Sequence, residues 1–329
     1  MLGLLVVLLS VMLACNISRA TPTQDSGLIQ TQTSLAITLA ALNNAPPTAM
    51  VQPTINVLPT ATLQPPATVQ PTDTIQPSAT VQPATSAELS PAQIQEKIDS
   101  SNILIYEDMA DYPEYLPVVS RAIAPLGGNH VYVADAMGTL MEKLASGTKW
   151  DLIIVAAEAR TNISGEYWTA IQEQVDKKHS ALIAEIWYLD EINDGKISPF
   201  LYECGVDVQK DWMRPDVWDP ANFPVYWVEP NSPVFTTPNR VDSFRASNQS
   251  DVWMGDAGDL LELTGGGDAR ILGSKTVSQK NYDGLLTSCI HDTVLFQTFS
   301  THDYPSNKMT ALWQNYIVYT LTNHFKNNP

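Results

Sequence analysis

The sequence predicts an α/β domain over residues 88–329, with an open, mostly parallel sheet that carries helices on both faces. Short runs rich in β-branched and apolar residues alternate with helical patterns, which is typical of βαβ units. Most of these runs are apolar throughout and do not alternate with polar residues, as expected of strands buried on both faces. A region of this length can also bury a substantial core. The fold class follows from these three observations.

The first half of the domain shows the alternation of elements most clearly. A first helix is expected after Ser90, because Ser is favoured at the N-cap and Pro91 at the first helical position. Strands and helices then follow in turn. The predicted strands are 102–108, 130–135, 151–158 and 180–189, and the predicted helices are 113–126, 139–145 and 165–178.

The second half of the domain is less regular. Residues 205–255 are rich in Pro, Trp and Asp and have no long period, so we predict an irregular excursion. The glycine-rich segments 255–259 (GDAGD) and 265–268 (GGGD) match no calcium or phosphate loop and are interpreted as turns. Strands are predicted at 269–274, 284–291 and 293–300, the last two forming a hairpin, and an amphipathic helix at 307–326.

The N-terminal segment carries an export signal. Residues 2–14 form an apolar run that is too short for a membrane span but suits the core of a signal peptide. Ala14 and Cys15 then resemble the lipobox of bacterial lipoproteins, which implies acylation of Cys15 within a signal segment 1–15. The membrane would then be a partner through a lipid anchor on the outer face of the cell membrane. An uncleaved anchor, or a signal cut elsewhere and a secreted product, are the alternatives.

Residues 16–87 predict a disordered, Thr/Pro-rich stalk. Proline removes a backbone donor and fixes φ, and the sparse charge and the small Thr and Ala side chains leave no packed core to build. We therefore expect an extended spacer that holds the domain away from the membrane. The prolines recur every six residues, at Pro53, Pro59, Pro65, Pro71, Pro77 and Pro83.

The charge distribution limits the partners of the domain. Residues 88–329 hold all but two of the 35 acidic residues and all but one of the 18 basic residues. A surface this acidic argues against nucleic acid, because phosphate backbones need a basic face. Polysaccharide or another envelope protein are the partners considered. No cofactor is predicted, and the five histidines show no spacing typical of a metal site.

The order of the elements resembles the class I glutamine amidotransferase-like fold, whose open parallel sheet is flavodoxin-like. The resemblance rests on residues 294–305 (VLFQTFSTHDYP), on the helix that follows them, and on residues 231–235 (NSPVF). It implies that His302, followed by Asp303, stands where catalytic members carry their histidine.

The position of the family's nucleophile departs from this pattern. Catalytic members carry a cysteine at a glycine-flanked elbow after the fourth strand, whereas residues 184–191 read AEIWYLDE. Ile186 and Trp187 stand near the expected nucleophile, and the segment contains no Cys, Ser or Gly. Because the thiolate attacks the amide in this family, its absence implies a non-catalytic domain.

An acidic rim is predicted where the parallel strands end, since open α/β sheets bind ligands beyond these ends. Such a rim could bind a ligand or support general acid/base chemistry, or it could consist of solvated loop acids. The ligand-binding candidates are Glu107, Asp108, Asp135, Glu158 and Asp190, and the catalytic candidates are His302, Asp303 and Glu158.

Two further features leave alternatives open. Cys204 and Cys289 could form a disulfide in an oxidising compartment or stay as buried thiols. Aromatic residues crowd the excursion and could stack on sugars or pin it to the sheet; they are Trp212, Trp218, Tyr226, Trp227 and Trp253. The function favoured is a surface-displayed binding module, with carbohydrate as one ligand, and the alternative is an envelope hydrolase that uses the acidic rim with His302.

Overall fold

The computed structural model describes residues 88–109, 116–159, 165–213, 219–247 and 256–329. The signal-like segment, the lipidation site Cys15 and the stalk lie outside these described residues. Among the described residues, no helix is both long enough and apolar enough to span a membrane.

The described residues form one sheet of eleven strands. The strands are β1 (Asn102–Glu107), β2 (Asn129–Tyr132), β3 (Leu152–Ala156), β4 (Ala181–Glu185), β5 (Val206–Met213), β6 (Pro224–Trp227), β7 (Phe244–Arg245), β8 (Asp256–Leu263), β9 (Arg270–Ser274), β10 (Gly284–Cys289) and β11 (Val294–Gln297).

Seven α-helices accompany the sheet within the same described ranges. They are α1 (Pro91–Asp99), α2 (Val118–Ile123), α3 (Met137–Ala145), α4 (Tyr167–Lys178), α5 (Ser198–Cys204), α6 (Pro233–Thr236) and α7 (Ser306–Asn327).

The sheet has a parallel half and an antiparallel half. Strands β2, β1, β3, β4 and β11 lie side by side in that order, and every neighbouring pair is parallel. β11 also pairs antiparallel with β10, which continues through β9 to β6 and β7, while β8 bridges β10 and β5. The predicted α/β class with a mostly parallel sheet and a closing hairpin is therefore confirmed.

Helices cover both faces of the parallel half and divide its core in two. Side chains alternate along β1, so Ile103 and Ile105 contact one layer while Leu104 and Tyr106 contact the other. The first layer contains α1, α2 and α7, and the second contains α3, α4 and α5. Burial on both faces explains why these strands read as continuous apolar runs.

The first helix begins where the sequence predicts. The Ser90 side chain accepts a hydrogen bond from the backbone N–H of Gln93, and the Gln93 side chain accepts one from the Ser90 N–H at 2.9 Å. This reciprocal pair satisfies two donors at the helix end, and Pro91 supplies a residue that needs no hydrogen bond there.

The interpretation of residues 205–255 as an irregular excursion is wrong in part. The segment contains β5, β6 and β7, and β5 forms a long antiparallel pair with β8. The interpretation of residues 255–259 as a turn is also wrong, because β8 begins at Asp256. Register shifts in the β5–β8 pair interrupt the two-residue period, so the pattern in the sequence is lost.

A disulfide joins the end of α5 to the end of β10. The sulfurs of Cys204 and Cys289 are 2.05 Å apart, and both residues are buried in the second core layer. The bond links positions that are 85 residues apart in the chain. It therefore ties the antiparallel half of the sheet to a helix of the parallel half.

Candidate functional site at the carboxyl edge of the sheet

Four ionisable side chains meet at the carboxyl edge of the parallel half. Glu107 ends β1, Glu158 follows β3, Glu185 ends β4, and His302 lies in the 3-10 turn after β11. Parallel neighbours deliver these side chains to one edge because all their strands end there. This edge of the sheet, where the ends of the parallel strands meet, is therefore the candidate functional site.

His302 is held through both ring nitrogens. Its Nδ1 contacts Glu158 Oε2, and its Nε2 lies 2.9 Å from the carbonyl oxygen of Leu116. Burial lowers the pKa of His302, but the charge of Glu158 and the hydrogen bonds outweigh burial and raise the pKa to about 9. The ring is therefore an imidazolium at neutral pH, and it donates to both oxygens.

Glu158 is the carboxylate that receives this charge. Its Oε1 accepts from the Ser300 hydroxyl at 2.6 Å and from the His302 backbone N–H at 3.2 Å. Burial raises the pKa of Glu158, but the His302 charge and these hydrogen bonds outweigh burial and hold the pKa below its ordinary value. Glu158 and His302 thus form a buried ion pair.

Glu185 is a second buried carboxyl group beside Glu158. Its Oε1 accepts from the Thr301 backbone N–H at 2.5 Å and from Gln297 Nε2 at 3.0 Å. Burial and the charge of Glu158 raise the pKa of Glu185 well above its ordinary value. Glu185 is therefore the protonated member of the pair and donates to Glu158.

The network continues into the closing helix. Gln297 Oε1 accepts from the Tyr316 hydroxyl at 3.1 Å, and the Trp313 indole N–H donates to Thr301 Oγ1 at 3.0 Å. Both aromatic side chains are buried in the first core layer. The 3-10 turn that carries His302 is therefore fixed from below by β11 and α7.

Glu107 stabilises the start of a helix. Its two carboxylate oxygens accept from the backbone N–H groups of Val119 and Ser120, at 2.8 and 3.1 Å. These are free donors in the first turn of α2, whose N-cap Pro117 has no side-chain cap. Burial raises the pKa of Glu107, although these hydrogen bonds oppose the rise. Both carboxylate oxygens of Glu107 are therefore occupied by structural hydrogen bonds.

Asp108 serves the loop after β3 in a similar way. Its oxygens accept from the backbone N–H groups of Glu158 and Ala159, at 2.9 and 3.0 Å. Burial, helped by the Glu158 charge, raises the pKa of Asp108 to about 7. Asp108, a ligand-binding candidate in the sequence, therefore holds the backbone of Glu158 in place.

The other candidates lie apart from this cluster or take part through their backbone. Asp135 is exposed in the turn after β2. The Asp190 backbone N–H donates to Asp259 Oδ2 at 3.0 Å, beyond the end of β4. Asp303 is buried, and its carbonyl oxygen accepts from the Ser247 backbone N–H at 2.8 Å.

Two acids that sequence reasoning did not select belong to this edge. Glu185 stands inside an apolar run that was interpreted as one strand up to residue 189, whereas β4 ends at Glu185. Asp259 stands in the segment that was interpreted as a turn. A single carboxylate within an otherwise apolar strand was the signal available for Glu185.

Asp259 faces Asp211 across the β5–β8 pair, where the two residues are in register. Asp259 is 1% exposed, and among the described residues its Oδ1 and the Oδ1 of Asp211 have no hydrogen-bond partner. Burial and the charges of neighbouring aspartates raise the pKa of Asp259 to about 8. Gly258 permits this placement, because its φ is +119° and a Cβ would lie 2.0 Å from the Thr298 oxygen.

Asp259→Asn is expected to stabilise the protein, and more so as the pH rises. The folded chain keeps a proton on Asp259 up to about pH 8, whereas the ordinary pKa is 3.8, so the wild type loses stability across this interval. The amide removes the loss, and we expect a gain of about 1–2 kcal/mol at pH 8. Urea unfolding at pH 5 and pH 8 measures it. The exposed Asp194→Asn is the control, and an equal gain at both pH values would contradict the assignment.

A buried indole lies after β4, near the nucleophile position that the sequence resemblance implies. Trp187 is 1% exposed, and its Nε1–H donates to the carbonyl oxygen of Glu158 at 2.8 Å. Ile186 is also buried, and its backbone N–H donates to the Gln297 carbonyl oxygen at 2.9 Å. Both residues near the nucleophile position of the amidotransferase-like family are therefore part of the core.

The chemistry open to this edge is narrow. A histidine acts as a general base through an unprotonated ring nitrogen that can reach a substrate, whereas both ring nitrogens of His302 donate within the protein. Glu158 and Glu185 are buried and share hydrogen bonds with one another and with the turn around them. Within the described ranges, no group of three or more His, Cys, Asp or Glu side chains is arranged to hold a metal ion.

Comparisons with known proteins add little to this description. No protein-family model matches the chain, and no curated protein matches it. Among solved structures, the chain is similar to a putative GMP synthase protein from Thermoplasma acidophilum. That likeness has a TM-score of 0.40 and 10% sequence identity, and it covers 69% of this chain and 97% of the other. Values this low assign neither a family nor an activity.

Proposed function

We propose that the protein is a binding module displayed on the outside of the cell, and that it does not use the carboxyl edge of its sheet for catalysis. The observation that carries this proposal is the state of His302. Its two ring nitrogens are hydrogen-bonded to Glu158 and to the Leu116 carbonyl oxygen, so His302 has no ring lone pair with which to accept a substrate proton. A carbohydrate of the cell envelope is the ligand class proposed.

The role of the acidic residues supports the same conclusion. Glu107 caps a helix, Asp108 holds the loop after β3, and Glu158 is paired with a cation. A site that binds substrate keeps its polar groups free to exchange partners, whereas these groups are already satisfied inside the protein. We call Glu107, Asp108, Glu158 and His302 the polar clasp, because their hydrogen bonds hold the turn after β11 against the sheet.

Two features support an exported location. The apolar run before Cys15 resembles a lipoprotein signal, and the Thr/Pro-rich segment 16–87 suits a spacer between a membrane and a domain. The buried disulfide between Cys204 and Cys289 fits an oxidising compartment, because such bonds are rare where thiols are kept reduced. Membrane attachment would then be through an acyl chain on Cys15.

The proposal is tested by comparing binding with turnover in one protein sample. The full chain is applied to an array of neutral and acidic envelope-type oligosaccharides, and the same compounds are incubated with it and examined for cleavage by mass spectrometry. We expect saturable binding without cleavage products. We also expect His302→Gln to leave that binding within a factor of two, because His302 contacts the protein and not the ligand.

Cleavage of any bound oligosaccharide that His302→Gln abolishes would overturn the proposal in favour of a hydrolase. Absence of binding across the array would overturn the carbohydrate assignment. Lys177→Gln, which alters an exposed side chain on α4, is the matched control for both measurements.

A further inference from the structure

The antiparallel half of the domain carries a groove that the clasp does not use. Tyr226 from β6, Phe244 and Arg245 from β7, Ser243 before β7, and Lys308 from the first turn of α7 line it. The groove has a volume of about 320 Å³, enough for a small group such as one sugar ring. Its lining combines two cations, a hydroxyl group and aromatic rings.

The two cations are available for a ligand. Among the described residues, neither the Arg245 guanidinium nor the Lys308 ammonium group forms an ion pair with a carboxylate. Arg245 donates from one nitrogen, Nη1, to the carbonyl oxygen of Ala221 at 2.8 Å, which fixes the guanidinium and leaves its other donors open. Within the part of the chain that the structure describes, two cations without a carboxylate partner therefore line one groove of a protein whose net charge is −17.

The neutral part of the lining suits a sugar. The Ser243 hydroxyl accepts from the Trp227 backbone N–H at 3.0 Å, so its own proton remains to be donated. Tyr226 is half-buried and supplies an amphipathic ring, which is how aromatic side chains contact the apolar face of a saccharide. Arg245 is exposed at the entrance.

The floor of the groove is rigid. Phe244 is buried and packs edge-on against Trp227, with ring centroids 5.1 Å apart, and also contacts Phe299 and Tyr304. Trp227 stacks on Phe235 at 4.0 Å. These aromatic residues, together with the buried Trp212, pin the excursion to the sheet, while Trp218 and Trp253 lie outside the described residues. A fixed floor lowers the entropy cost of binding.

We propose that this groove binds a carboxylate-bearing saccharide unit, with Arg245 and Lys308 on the carboxylate and Ser243 and Tyr226 on the sugar. The inference rests on the proposed function and names its ligand class. Tyr226 and Ser243 favour a charged sugar over a glycerol-phosphate polymer, because the polymer has no ring for these side chains to contact. Arg presents the fork of donors that a carboxylate accepts in pairs.

The test measures binding of oligogalacturonate, a neutral oligosaccharide of equal length, and a glycerol-phosphate oligomer to the full chain by calorimetry. We expect oligogalacturonate to bind and the other two to bind at least tenfold more weakly. Arg245→Gln and Lys308→Gln should each weaken oligogalacturonate binding by roughly 10- to 100-fold, as expected for loss of a charge-assisted hydrogen bond. Arg245→Lys should recover part of the loss.

Lys326→Gln and Arg240→Gln are the controls, because they remove an exposed lysine of the same helix and an arginine already paired with Asp242. Unchanged binding in both groove variants, each shown to be folded by circular dichroism, would overturn the groove assignment while leaving the binding-module proposal in place. Tighter binding of the phosphate oligomer would overturn the carboxylate assignment. Failure of every saccharide on the array would overturn the carbohydrate assignment and, with it, the groove proposal.

Discussion

Glu158→Gln is expected to lower the free energy of unfolding by about 3 kcal/mol near pH 6, because it leaves the buried His302 without its counter-charge. The substitution keeps the size of the side chain, removes its charge and replaces one of its two acceptor oxygens with an NH2 donor. Urea unfolding followed by tryptophan fluorescence measures the loss.

The pH dependence of this effect follows from the two pKa shifts. The pKa of His302 is raised from 6.5 to about 9, so the pair contributes fully below pH 6.5 and its contribution is lost as the pH rises through 9. The lowered pKa of Glu158 means that the contribution is also lost in acid. The difference between Glu158→Gln and wild type should therefore shrink to under about 1 kcal/mol above pH 9.5.

Glu173→Gln is the matched control for Glu158→Gln. Glu173 forms an ion pair at 2.8 Å with Lys177 one turn along α4, but both side chains are exposed. Because solvent screens exposed ion pairs, they contribute almost nothing to the free energy of unfolding, and no measurable change in stability is expected at any pH. If the two variants behaved alike, the buried pair would not have the role assigned to it.

Removal of the disulfide is expected to give an effect of similar size. The double variant Cys204→Ala/Cys289→Ala should lose about 3–4 kcal/mol, because the bond closes a loop of 85 residues in the unfolded chain. For a domain of this size the loss corresponds to a fall in Tm of roughly 10 °C. Scanning calorimetry measures it.

Reductant supplies the control for the disulfide. Dithiothreitol should lower the Tm of the wild type by about the same roughly 10 °C and leave the double variant unchanged. Counting free thiols before and after treatment verifies that the bond has been reduced. If the Tm of the wild type were then unchanged, the bond would not stabilise the fold.

The sequence predicts the parallel half of the domain well because its strands are buried on both faces. Runs such as residues 152–156 are apolar throughout, and the helix before β1 has a clear start signal at Ser90–Pro91. The antiparallel half gave weaker signals. β5 is interrupted by register shifts, and its exposed residues Asp207, Lys210 and Met213 are three positions apart and do not alternate. β8 begins inside a glycine-containing segment that is typical of turns.

The candidate site, like the fold, could be predicted from the sequence only in part. Reading the ends of the strands placed Glu107, Asp108 and Glu158 at one edge, because this follows from parallel topology alone. Their partners could not be predicted, since the Leu116 carbonyl and the first turn of α2 reach them only through tertiary packing. Glu158 contacts the Nδ1 of His302, and Asp292 pairs with Arg270 at 2.7 Å.

The groove was outside the reach of sequence reasoning for a similar reason. Arg245 and Lys308 are far apart in the chain, and no motif links them. The pairing of β6 with β7, which sets Pro224 opposite Arg245, and the start of α7 bring the two cations to one place. Of the residues that line the groove, the sequence analysis selected Tyr226, as one of a group of aromatic residues of which Trp212 and Trp227 are buried in the core.

The central claim, that His302 is a bonded imidazolium and not a free base, is tested most directly by nitrogen NMR of the full chain labelled at histidine. The chain has five histidines, and His302→Gln assigns the signal. We expect both ring nitrogens of His302 to remain protonated from pH 5 to 8, with a midpoint near the pKa of about 9. A neutral ring with one unprotonated nitrogen at pH 7.5, titrating near 6.5, would contradict the account.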